Sequence, residues 1–520
     1  MSDVAATLAE VPGPGGRPAA EPRGGIWGWL SERLNPILVR EVHQALNGRV
    51  FLFTAGLAFL AVFVIALLIA ANDEASPRAG AEAFLNTLYV LVPILLFIVP
   101  LQAFFSTRSE VGGGTVEHLL LSRLRPAQIV RGKLISTTVQ FVLYLAIFAP
   151  LLALTYLLRG VDIPTIAWVL AMAFLLALAS SSLAIACGAL CRWRAAFRVL
   201  PFAIVLLGLG WLTVTVLGAL PFGLMSARFL FDADAPVSAI FAVAGPPLLS
   251  TILFALIGSS ALAHPYENRS TGFRAFALLM VLLALGWTVF TYDQMSPSIR
   301  PYITLATSLN GIVTTCGVML GLFPFFAATE PPRLSPRVQR HVPRSPLLAF
   351  LVSPLLPGNG RGLLFALLLT AIALGGTVLL PELWGEVSKG GSDRMQEITV
   401  GIWLYVVLFS ALGCAVRGRL AAPDTRNWWA RGLLPLLMML SALVPLLVGV
   451  VGSSRSVMLR WSPLQLFNPF ASLSYVRHDD DVMVWLGAAT GVAVVINLAA
   501  MVRGVSEVME ASRQRRRRAP

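Results

Sequence analysis

The 520-residue sequence predicts an all-α polytopic membrane protein with about 12 transmembrane helices and both termini on the cytoplasmic side. Three observations predict it. The chain is 57% hydrophobic and only 12% charged, with a mean hydropathy of +0.78. A soluble domain has about 45–50% apolar and 25% charged residues. The apolar excess falls in blocks of about 20 residues, the length a helix needs to cross a bilayer. Between those blocks, Lys and Arg alternate from loop to loop.

The blocks place spans at roughly 50–71, 84–105, 134–158, 164–190, 199–219, 238–263, 275–291, 302–328, 362–380, 398–416, 432–451 and 482–502. With the N-terminus inside, 30 of the 39 Lys and Arg lie in inside segments and nine in outside loops. That bias is the positive-inside pattern of an inner, or plasma, membrane protein. No Asp, Glu, Lys, Arg or His falls well inside a span. Intramembrane charges are costly and mark ion or proton pathways, so their lack disfavours an ion-coupled carrier. The mild polarity of Gln140, Ser180 to Ser182, Asn310 and Asn497 is explained by hydrogen bonds between helices.

The elements follow in order. Residues 1–26 are rich in Pro, Gly and Ala without an apolar core, and read as a disordered cytoplasmic tail with no cleavable signal. Residues 27–51 approach the first span. Asn35 and Pro36 suit an N-cap and first turn. Leu38, Val42, Ala45 and Leu46 then share a stripe, with Arg40 and Glu41 off it. This predicts an interfacial amphipathic helix, a plain anchor or an elbow that moves the first span.

After the second span, Gly112, Gly113 and Gly114 break the helix that carries Glu110. Thr115 can cap a new short helix, with Glu117 in its first turn. Leu119, Leu120, Leu121 and Leu124 give it an apolar face, and Arg123 and Arg125 follow. Pro126 opens the next helix, where Gly132 and Lys133 precede the third span. Such a pair of short helices is either an inert re-entry loop or a leucine-faced peg for a groove on a soluble partner.

The order of these pieces resembles the permeases of the ABC-2 class of ATP-binding-cassette exporters. The resemblance rests on Asn35, Pro36, Arg40 and Glu41 before the first span. It continues through Glu110, Gly114, Thr115, Glu117, Leu119, Leu120, Pro126, Ile129, Val130, Gly132 and Lys133 after the second. It covers roughly residues 30–265. The sequence departs in its extra glycines, which set Glu110 farther from Thr115, and in His118 at a commonly apolar position. The resemblance implies that Thr115 to Leu124 is a coupling helix docking on a cytoplasmic nucleotide-binding ATPase subunit. Glu110, Glu117, Arg123 and Arg125 are then candidates for charge contacts with it, with Leu120 and Leu121 at the apolar face. It implies a six-span unit over 27–265. Residues 266–502 hold six further spans without a second copy of the motif, and 503–520 form a basic cytoplasmic tail.

ATP and Mg are expected on the partner, not here. Gly132-Lys133 is followed by Leu134, and Ala127 stands where a P-loop needs its first glycine. No cofactor or metal is expected in this chain. Cys187, Cys191, Cys316 and Cys414 read as apolar fillers. Arg477, His478 and Asp479 to Asp481 could serve an outer-face enzyme, but read as a charged first turn for the last span. His264 and Glu267 are treated alike. The terminal Arg run suits anionic lipid, and nucleic acid is not expected. The expected function is a permease subunit energised in trans, embedded in membrane lipid. Pairing with a second copy or another permease subunit stays open. Competing readings are a polytopic enzyme acting on lipid-linked substrate and a non-transporting scaffold.

Overall fold

A computed structural model describes residues 40, 42–43, 47–71, 79–114, 125–158, 161–191, 199–230, 237–264, 267–295, 304–384, 393–420, 428–451, 461–476 and 481–517. All regular structure among them is helical. Ten helices are long and apolar enough to cross a membrane, and a pair bent by 43° at Gly321 supplies an eleventh candidate. The predicted span at 432–451 falls on a helix from Trp428 to Val451, interrupted by Pro435 and Pro445.

The first half contains α1 (Arg49–Ala71), α2 (Ala79–Pro93), α3 (Val99–Gly112), α4 (Pro126–Leu157), α5 (Ile163–Leu190), α6 (Val199–Leu230) and α7 (Val237–Leu262). A π-helical turn, Ile94–Ile98, joins α2 to α3 in one continuous span. It lies between Pro93 and Pro100, whose missing N–H groups disturb the α-helical ladder there.

The second half contains α8 (Thr271–Asp293), α9 (Leu305–Leu320), α10 (Leu322–Ala328), α11 (Pro336–Gln339), α12 (Pro346–Val352) and α13 (Asn359–Leu383). Then come α14 (Asp393–Ala415) with a π turn at Val416–Leu420, α15 (Trp428–Val451), α16 (Pro469–Tyr475) and α17 (Asp481–Arg517). The stretch 503–517, read from sequence as a tail, continues α17 without a break. Val508 and Ala511 there are buried against Leu334, Val338, Val342, Ala349 and Leu356.

The apolar cores divide between the halves. Three clusters use residues up to Leu262, and three use only residues from Ala277 onward. In the first half, the first span packs on the second and third, and the second on the third and fourth. The fourth packs on the third, fifth and sixth, and the third also meets the sixth. Every one of these pairings recurs in the second half, with α8, α9–α10, α13, α14, α15 and α17 in the corresponding places. In the first half the largest interface joins the fourth and sixth spans, and in the second half the second and fourth.

Lipid tails are as apolar as leucine, so helices in a bilayer associate through close packing and hydrogen bonds. The sequence of α5 supplies both. Ala177, Ala179, Ser180 to Ser182, Ala184, Ala186, Gly188 and Ala189 are small and buried. They let α3 and α7 approach its backbone. Ser182 Oγ donates to the Thr251 carbonyl of α7 at 2.9 Å. In the second half, Asn497 Nδ2 of α17 donates to the Ala411 carbonyl of α14 at 2.9 Å. Trp403 Nε1 of α14 donates to the Val313 carbonyl of α9 at 3.2 Å. Of the polar span residues picked out in the sequence, Ser182 and Asn497 thus bridge helices as expected, whereas Gln140 Oε1, Ser181 Oγ and Asn310 Oδ1 are buried without a hydrogen-bond partner among the described residues. Ser180 bonds within its own turn.

A Cβ on Gly188 would lie 2.8 Å from Thr107 Cβ and 3.0 Å from the Phe104 carbonyl oxygen of α3. One on Gly208 would meet nothing within 4 Å. Gly188→Ala is therefore expected to reduce the folded, monodisperse fraction in detergent size-exclusion chromatography. Gly208→Ala should not, since alanine favours a helix over glycine by about 0.5–1 kcal/mol.

Candidate functional site

The candidate site is built where α3 ends and α4 begins. Glu110 lies in the last turn of α3, on the buried face with Ala103 and Thr107. A carboxylate there opposes the helix dipole and, being 6% exposed, needs cationic partners. Lys133, the eighth residue of α4, is 2% exposed and needs a counter-charge in its turn. Each cancels the other's cost. Lys133 Nζ donates to Ser106 Oγ at 2.9 Å and lies 3.0 Å from Glu110 Oε2. Ser106 is one turn before Glu110 on the same helix, so the ammonium bridges that turn.

The second carboxylate oxygen reaches the N-terminal approach. Arg40 Nη2 donates to Glu110 Oε1 at 3.0 Å. The Arg40 side chain is 43% exposed, so this bond is worth about 0–1 kcal/mol. One carboxylate thus ties together the approach to α1, the end of α3 and the start of α4. Seventy residues separate Arg40 from Glu110.

Beyond Glu110 the helix stops as the glycines predict. Gly113 N donates to the Ser109 carbonyl at 2.9 Å, and Gly114 adopts φ +73°, the left-handed conformation that ends helices at glycine. The chain resumes at Arg125, exposed, whose N–H donates to Gln128 Oε1 at 2.8 Å at the start of α4. Gly132 is buried beside Lys133.

Of the site residues picked out in the sequence, Arg40, Glu110 and Lys133 are brought together, with Gly132 adjacent and Arg125 at the helix start. Asn35, Pro36, Glu41, Thr115, Glu117, Leu120, Leu121 and Arg123 lie outside the described residues. Arg477, His478, Asp479 and Asp480 do too, and Asp481 begins α17. Glu267 pairs with Arg337 at 3.4 Å on the surface. Among the described residues no group of three or more His, Cys, Asp or Glu is placed to hold a metal ion.

Sequence reasoning missed a second charged cluster. Arg274 of α8 is 1% exposed and Arg361 of α13 is fully buried. Arg274 Nη2 donates to Glu330 Oε2 at 2.8 Å, and Nη1 to the Pro354 carbonyl at 2.8 Å. The same Glu330 oxygen accepts from Gly358 N at 2.9 Å. Arg361 Nη1 donates to the Gly504 carbonyl at 2.8 Å and to Glu507 Oε2 at 3.0 Å. Glu507 Oε1 accepts from Leu334 N at 2.8 Å. Carboxylates and backbone carbonyls together make these burials tolerable, and partners 28 to 173 residues apart leave no local signal. The one local hint is Gly-Asn-Gly-Arg-Gly at 358–362, where Gly358 has φ +139° and a Cβ would strike the Arg361 guanidinium.

Glu110→Ala would strand the Lys133 ammonium, so a loss of about 3–5 kcal/mol is expected, read as a lower melting midpoint in detergent. Glu110→Leu with Lys133→Met should recover most of it, because an apolar pair needs no compensation. Arg40→Ala should cost at most about 1 kcal/mol. A native melting midpoint for Glu110→Ala would refute this reading of the carboxylate.

No protein-family model, curated protein or solved structure matches this chain, so its function is argued from its own residues.

Proposed function

We propose that the chain is the membrane-spanning permease subunit of an ATP-binding-cassette exporter of the ABC-2 kind, energised by a separate cytoplasmic ATPase. Its spans number about twelve, both termini face the cytoplasm of an inner or plasma membrane, and ATP and Mg act on the partner. The observation that carries this reading is the Arg40–Glu110–Lys133 latch. The three motif pieces behind the resemblance lie apart in sequence, yet two of them place a cation on the carboxylate of the third.

The latch gives the segment 115–124 a mechanical role. That segment leaves α3 just after Glu110 and returns just before α4. A partner that moves it pulls on two helix ends that Glu110 and Lys133 hold as one body. Arg40 extends the same body to the approach of α1. A displacement driven by ATP in the partner would thus reach the first three spans together. Glu110 acts in this scheme by holding the helix ends, since both its oxygens are engaged and it is nearly buried.

Replacing Leu120 and Leu121 together with Asp puts two charges on the apolar face of the docking segment. The expected result is loss of the co-purifying ATPase subunit and of its stimulation by the permease. Glu110→Gln should keep the ATPase bound but lower that stimulation several-fold. If the ATPase stays bound to the Leu120→Asp, Leu121→Asp protein with unchanged turnover, the docking role is wrong.

A further inference from the structure

The second half lacks the sequence motif but repeats its architecture. Most helix pairings recur, the packing of the fifth span on the second being a feature of the first half, and the order of charges is the same. A cation at the first span (Arg40; Arg274) meets a carboxylate at the end of the second span (Glu110, in its last turn; Glu330, two residues past it). That carboxylate also accepts from the start of the third span (Lys133 Nζ; Gly358 N). Arg274 sits inside α8, whereas Arg40 precedes α1, and the amide replaces an ammonium. These differences erase the motif from the sequence and keep the latch.

In the first half the latch brackets residues 115–124. In the second it brackets 331–357, which contain α12, Ser-Pro-Leu-Leu-Ala-Phe-Leu-Val. Ala349 faces inward at 0% exposure, while Leu347, Leu348, Phe350 and Leu351 are 70, 52, 57 and 60% exposed. Four large apolar side chains on one short helix need a cover.

Depth along α17 separates lipid from protein as that cover. The apolar run of α17 ends at Val502, and Arg503 follows, exposed. Ala349 of α12 shares a core with Val508 and Ala511 of α17. These are six and nine residues farther on, about 9–14 Å at 1.5 Å per residue. The headgroup layer is only about 5–8 Å thick on each side. A helix tilt of about 20° shortens the distance by less than a tenth. The exposed face of α12 therefore lies beyond the headgroups, in water. Around it, Arg340, Arg344, Arg513, Arg516 and Arg517 are exposed, and Arg337 is paired with Glu267. The stretch 334–358 has no carboxylate, and 503–517 has only Glu507, held by Arg361, and Glu510.

We infer that α12 is a second docking helix, the counterpart of residues 115–124, and that it seats in an acidic-rimmed apolar groove on a second copy of the ATPase subunit. This rests on the function proposed above. The full chain, purified with its ATPase and placed in nanodiscs, would be weighed by native mass spectrometry. Two ATPase copies per chain are expected. Leu348→Asp with Leu351→Asp should leave one, Leu120→Asp with Leu121→Asp should leave one, and all four changes none. If the Leu348, Leu351 variant keeps the full count while the Leu120, Leu121 variant loses all ATPase, the proposed function stands and the second docking helix falls. If no ATPase accompanies the unmodified chain, both fall. As a second measurement, a fluorophore on Phe350→Cys should be quenched by iodide without the ATPase and protected with it. Quenching by brominated lipid instead would place α12 in the membrane surface and overturn the inference.

Discussion

The buried ion pair between Glu110 and Lys133 is the interaction on which the first half depends. Neither charge is comfortable where its helix puts it. The carboxylate sits at the negative end of α3, and the ammonium is buried a little over two turns into α4. Both are nearly sealed from water. Each is tolerable only because the other is 3.0 Å away, so the pair fixes how two helix ends meet. Arg40 adds the approach to α1 with a bond that solvent weakens. The result is a junction with one rigid and one yielding contact, suited to passing on a push while letting the N-terminal approach adjust.

The second half solves the same junction with different chemistry. Glu330 is held by a guanidinium and a backbone amide, and other donors of the two arginines reach the main-chain carbonyls of Pro354 and Gly504. Arginine suits this because its planar, rigid set of donors can serve several acceptors at once. The spans themselves carry the load differently. Small side chains on α5 and hydrogen bonds from Ser182, Asn497 and Trp403 bring helices together where a hydrophobic drive is lacking.

Much of this was legible in the sequence because the signals are local. Apolar runs of about 20 residues mark helices, whatever packs beside them. Glycines at 112–114 end α3 because only glycine takes the left-handed turn cheaply. Glu110 and Lys133 stood out as parts of the motif that carries the resemblance. Their mutual pairing did not, since nothing in the sequence aims a side chain at another 23 residues away. Arg274 and Arg361 looked like ordinary inside charges at span ends, and their burial depends on carbonyls brought in from Pro354, Pro357 and Gly504.

The sequence by itself determined a helical membrane chain, the places where helices start and stop, and which end of the bundle carries the positive charge. Those properties follow from hydropathy, backbone preference and side-chain charge, each decided within about a turn or a span of the residue concerned. The tertiary structure decided which charges are partners, that 503–517 extends a span helix as a buried strut, and that two halves unlike in sequence share one packing order. The physical reason is that a packing order can be kept by many small-residue patterns, and a carboxylate can be held by an ammonium, a guanidinium or an amide. Identity of geometry therefore outlasts identity of residues, and only contacts across the bundle display it.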